Sequence, residues 1–340
     1  GVKHEGSKFA EGYYQRARSY AKDKNQVRMA LKQFEYAFHY DPRHFMALND
    51  RAEVLTLLND FSGAQELLKL AKQLSTPEKL AELGENEQDE TLSDAPVGTI
   101  AFNMGKAMYL DAIRDLSNSE SWFRLKEVQK YRSHTDQGSN ALLAHLDRIE
   151  LEFNEARTLG IAGTKAESEL MYFSGWSKFV RNDHRGALSD WEKIDPEKTA
   201  SLPNLSLAQS HCYYRLAVEE TLPAQREKYL DSALGLLFYS QDRFNARMGT
   251  ITRIDAGNEK HARLVSNLAI IENNIGAIYE LLDDEQKSLM HYWKSVENSK
   301  RIGKENEIAN LNIRLSFKRK ALTDGENVPV IMDFVPPLVD

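Results

Sequence analysis

Cysteine is almost absent. Cys212 is the only one in 340 residues, so no intrachain disulfide and no thiolate metal cluster can form. That usage fits a reducing compartment and equally an exported chain. Proline is scarce, with nine in all, which leaves long stretches free to remain helical. No apolar run approaches the ~20 residues that cross a bilayer, so no membrane span is expected in this chain. Alternating β-type runs are scarce as well. Basic residues are missing from one long stretch: Glu82, Glu85, Glu87, Asp89, Glu90 and Asp94 lie between Lys79 and Lys106 with no Lys or Arg among them. These six acids supply most of the net charge of −7. The remainder is nearly neutral, which argues against a broad nucleic-acid surface. An initiator methionine is also lacking: the chain opens GVKHEG. A removed leader, anchor or disordered tail is therefore expected upstream. The compartment stays open between cytoplasmic and periplasmic or exported, with the chain itself soluble.

What is present reads as helix. A length of 340 residues exceeds what one core usually holds, so two or more units or an elongated array are expected. Hydrophobic residues make up 41% and aromatics 9%, enough to fold. Apolar residues recur at three- and four-residue spacing almost throughout. They predict fourteen helices between residues 8 and 321, among them 119–133 and 223–240. Breakers such as Asp41-Pro42, Asn59-Asp60, Asn182-Asp183 and Asp283-Asp284 separate them. The expected fold class is all-α, built of short antiparallel hairpins.

The hairpins repeat. In MALKQFEYAFHYDP (29–42), a shift of 34 residues places Ala30 on Ala64, Phe34 on Leu68 and Ala37 on Ala71. With one extra residue in the first turn, Tyr13, Ala17 and Tyr20 match Leu48, Ala52 and Leu55. A small residue at such points is a steric demand: two helices approach closely only where little lies between them. Two further segments fit. One is 168–196, with Gly175, Ala187, Trp191 and Pro196. The other is 269–300, with Ile275-Gly276-Ala277-Ile278-Tyr279, Ser288, Tyr292 and Ser295. Segments 98–133 and 203–240 look like degenerate copies through Gly105, Ala208 and Ala233.

On these residues the chain resembles the tetratricopeptide repeat (TPR) family, over about three quarters of its length. Related helical repeats with looser signatures also suit its middle. The resemblance implies a TPR-like α-solenoid, a right-handed superhelix of antiparallel helical hairpins. The expected organisation has N-terminal hairpins over 1–80, an acidic linker over 81–97, further hairpins and a capping helix over 98–322, and an extended apolar tail over 323–340. The linker reads as a plain connection or as an electrostatic lure for a basic partner. The tail, with VPVIMDFVPPLVD, is too proline-rich for a helix. It is expected to lie along the protein's own helices, to enter a neighbouring molecule's groove as a route to homo-oligomers, or to be disordered.

Reactive constellations are missing. None of the nine histidines stands in a His-Glu-x-x-His zinc signature. His211 and Cys212 are adjacent on a helix and so point ~100° apart. Gly160–Lys165 has the wrong spacing for a phosphate loop, and Glu150, Glu152 and Glu155 read as a solvated face. No catalytic residue, metal ligand or cofactor is expected, and the chain is read as a non-enzyme.

In the TPR family, the first helix of each repeat lines a concave groove that receives a peptide or a partner's helix. Carried over by position, the resemblance implies groove residues Asn49 and Glu53 in the second copy, Tyr172, Trp176 and Phe179 in the 168–196 copy, and Asn273 and Glu280 in the last. The three aromatics are read either as a groove floor or as core packing. No Lys or Arg accompanies the two asparagines, which argues against a carboxylate clamp. The function implied is a protein–protein interaction scaffold or adaptor with a protein or peptide partner. The alternative is a repeat-based sensor whose superhelix responds to a peptide or small molecule.

Overall fold

Alanine sets how closely the helices pack. Ala30, Ala37, Ala64 and Ala71 have no exposed surface, and Phe34 and Leu68 fill the space between them. The computed structural model describes residues 2–84, 90–118, 137–161, 163–199, 202, 204–320 and 332. Among these every regular element is a helix and no strand occurs. The described residues are therefore all-α.

Two compact units are present, one of residues 1–115 and 136–177, the other of 116–135 and 178–340. The first contains α1 (Val2–Ala21), α2 (Val27–Tyr40), α3 (Phe45–Leu57), α4 (Phe61–Leu74), the short α5 (Pro77–Gly84) and α6 (Glu90–Ser93), most of α7 (Gly98–Asn118), α8 (Gln137–Leu159) and most of α9 (Thr164–Val180). The second contains α10 (His184–Trp191), α11 (Pro196–Thr199), α12 (Leu205–Glu219), α13 (Pro223–Met248), α14 (Glu259–Leu281), α15 (Glu285–Arg301) and α16 (Glu307–Lys320). Consecutive helices pack as pairs: α1 with α2 and α3 with α4 in the first unit, α12 with α13 and α14 with α15 in the second.

One turn is used three times. Asn59, Asn182 and Asp283 adopt φ of 63°, 66° and 60°, a left-handed conformation that Asn and Asp tolerate. The aspartate that follows each one caps the next helix. Asp60 and Asp183 accept from Gly63 N–H and Gly186 N–H at 2.9 Å, and Asp284 accepts from Lys287 N–H at 3.2 Å. Each cap's own N–H reaches back five residues, to the carbonyls of Leu55, Lys178 and Tyr279, at 2.9 Å every time. A small residue, Ala64, Ala187 or Ser288, follows each cap by four positions.

In the second unit Gly276 marks a close helix approach. A Cβ there would stand 2.7 Å from the Tyr292 ring and 2.9 Å from the Ser288 carbonyl oxygen. Gly105 plays the same part in the first unit, with the Phe153 ring 2.6 Å from such a Cβ.

The helices differ from the sequence expectation in several places, among them the expected linker and the end of α13. Helix begins again at Pro77 and runs to Gly84, and Glu90–Ser93 is helical, so both ends of the expected acidic linker are ordered. Proline at the first position favours that start, and Leu83, 3% exposed, anchors it. Helix α13 runs to Met248 rather than ending at 240, because Phe244 continues the buried stripe of Leu230, Ala233 and Leu237. The expected helix over 119–133 lies outside the described residues. So does the expected tail, except for Met332, which is 1% exposed and belongs to the second unit's apolar core with Ala309 and Ile313.

Candidate partner-binding surfaces

Asn49 is fully buried on α3. Its amide donates to Asp50 Oδ1 at 3.0 Å, and its carbonyl oxygen accepts from the Asn103 amide on α7 at 3.0 Å. Asp50 Oδ2 in turn accepts from the Tyr14 hydroxyl at 2.8 Å and lies 3.9 Å from Arg18. Helices α1, α3 and α7 are thus stitched by polar side chains. The second unit repeats the device: Asn273, also fully buried, accepts from the Asn312 amide at 2.9 Å. Glu280 is occupied as well. It accepts two bonds from the Arg319 guanidinium, at 2.5 and 2.7 Å, and one from Tyr292 Oη at 2.7 Å.

The aromatic stripe on α9 is interior. Tyr172, Trp176 and Phe179 are 8%, 0% and 3% exposed. Tyr172 meets Trp176 edge-on at 6.2 Å in the first unit, and Phe179 lies 6.0 Å from Trp191 in the second. Of the seven positions singled out from the sequence, Glu53 alone is exposed. Asn49, Glu53, Tyr172 and Trp176 fall in one unit, and Phe179, Asn273 and Glu280 in the other. The face read as solvated is not all so, since Lys72 on α4 bridges Glu152 and Glu155 on α8. Cys212 is buried, and burial pushes its thiol well above the ordinary range. Among the described residues no group of three or more His, Cys, Asp or Glu is placed to hold a metal. Among them, too, no helix is long and apolar enough to cross a membrane.

Burial also raises the Asp50 carboxyl, against the bonds from Tyr14 and Asn49 that favour its charged form. A raised carboxylate binds its proton more tightly in the folded state. Its stabilising contribution is therefore present at low pH and lost as pH rises through the folded-state value. Asp50→Asn is accordingly expected to gain stability over the wild type as pH rises from the ordinary carboxylate range to neutrality. Urea titrations at a series of pH values read this directly; parallel curves would rule it out. Glu11, lowered by its bond to His44, has the opposite slope but is common to both proteins.

A surface not singled out from the sequence stands out on the α1–α2 pair. Phe9 is 59% exposed, Tyr40 44% and Tyr36 37%, and Tyr13 sits half-buried among them. Tyr13 and Tyr40 stack at 5.3 Å with rings 7° apart. Phe9 lies 5.8 Å from Tyr40, and Tyr36 5.4 Å from Tyr13. Arg16 covers Tyr13 at 5.6 Å. The signal was in the sequence: Phe9, Tyr13 and Tyr20 recur at helical spacing beside the buried Ala10, Tyr14 and Ala17. It forms a second apolar stripe on a helix that needs only one to pack.

No family model matches the chain, and no curated protein matches it.

Proposed function

We propose that the chain is a non-enzymatic interaction scaffold of TPR-like helical hairpins that binds a helical segment of a protein partner. The carrying observation is the exposed aromatic cluster of Phe9, Tyr13, Tyr36 and Tyr40. Aromatic residues and Arg are the side chains that dominate binding energy at protein interfaces. Rings held by one another lose little freedom when a partner covers them.

The internal repeat supports a helical occupant. The equivalents of Phe9 and Tyr13 in the next pair are His44 and Leu48, 5% and 2% exposed. His44 is covered by the preceding pair, with its ring 4.7 Å from that of Tyr14. Within that preceding pair, Ala30, Phe34 and Ala37 are buried in one apolar cluster with Tyr14, Ala17, Ala47 and Val54. The partner's segment is accordingly an amphipathic helix or helix pair with alanines flanking an aromatic. The three uses of the Asn/Asp turn support the repeat reading, because repeats of one sequence pattern should share their turn chemistry.

The test is affinity capture from the source cell with identification by mass spectrometry, using the wild type and a Tyr36→Ser/Tyr40→Ser variant. Both positions are exposed, so the melting temperature is expected to stay within a few degrees. The prey is expected to be lost from the variant. Prey retained at wild-type level would overturn the assignment of this face.

A further inference from the structure

We propose that the first unit carries a second binding site, a cavity of about 500 Å³ that takes a basic peptide segment bearing an apolar anchor residue. Its volume falls in the range of sites that enclose a ligand. Its floor is apolar, formed by Leu80, Val97, Ile100, Ala101 and Leu159. Two helix ends of each polarity meet at it, the last residues of α4 and α8 and the first of α5 and α7. The opposed helix dipoles largely cancel, so side-chain charge decides which ligand is favoured.

The charged residues of its lining are Lys72 and Glu155, and the ion-paired cluster they form with Glu152 is negative. Lys72 Nζ stands 2.5 Å from Glu152 and 2.8 Å from Glu155, one cation shared between two carboxylates. Glu152 and Lys72 are about three-quarters or more buried, whereas the Glu155 side chain is 46% exposed beside the opening. A ligand cation reaching Glu155 restores neutrality to the triad; a ligand anion adds to its excess. The occupant is thus a Leu, Met or Phe side chain seated on the floor, with an adjacent Lys or Arg paired to Glu155. The site shares no residue with the aromatic face of α1 and α2, so either can fail without the other.

The experiment is fluorescence anisotropy on the full chain with a short labelled peptide of lysine and leucine. Two control peptides carry glutamate in place of lysine, or serine in place of leucine. Thr158→Trp plugs the opening from an exposed position, and Glu155→Gln removes the rim charge; thermal melts of each report that the fold is intact. The lysine–leucine peptide is expected to bind, both controls to bind about tenfold more weakly or not at all, and each variant to weaken binding by about the same factor. Absence of binding, equal binding of the serine control, or affinity unchanged in both variants would overturn the site.

Discussion

Trp176→Ala is expected to lower the unfolding free energy by about 3–5 kcal/mol, the usual cost of deleting a fully buried large aromatic. The indole has no exposed surface, and Tyr172 meets it edge-on with rings 87° apart. Removing it leaves a void that rigid neighbouring helices close only in part. Trp176→Phe keeps most of the volume and is expected to cost about 1–2 kcal/mol. Urea denaturation followed by circular dichroism reads both values. An alanine variant as stable as the wild type would mean that the indole faces an open groove, the other reading its helical spacing allowed.

Gly276→Ala is expected to destabilise the second unit by about 1–3 kcal/mol, although alanine is the better helix former by about 1 kcal/mol. The added methyl meets the Tyr292 ring and the Ser288 backbone. The ring is buried on α15, and its hydroxyl is held by Glu280, so it has little room to yield. Gly235 on α13 provides the opposite sign. It is exposed, and a Cβ there meets nothing within 4 Å, so Gly235→Ala is expected to gain about 0.5–1 kcal/mol. The pair separates close helix contact from helix propensity in one unit. Two gains of similar size would show that α14 and α15 do not need a bare backbone at Gly276.

Much of the helical architecture was legible because its signals are local. The alanines at 30, 37, 64 and 71 and the Asn/Asp pairs at three turns act on residues within a turn or two of themselves. The faces of the helices were less legible. Asn49 and Asn273 are polar, and polarity alone suggests a wet groove. What buries them is a second asparagine, Asn103 or Asn312, far along the chain, and no periodicity reports that pairing. Glu280 is likewise occupied by Arg319, 39 residues away. The aromatic face on α1 and α2 was hidden for the opposite reason. Phe9, Tyr36 and Tyr40 look like core residues in sequence; the second stripe on α1 is the one local sign against that, and their neighbours show that nothing in the described structure covers them.

The central claim is that this face, rather than the interior stripe of α9, meets the partner. Hydroxyl-radical footprinting of the chain with and without its captured partner tests it most directly, because Phe, Tyr and Met side chains are its most responsive reporters. Phe9, Tyr36 and Tyr40 are expected to lose reactivity together when the partner is present, with Phe317, 60% exposed in the second unit, serving as the unchanged reference. Full reactivity at those three positions in the presence of bound partner would contradict the claim.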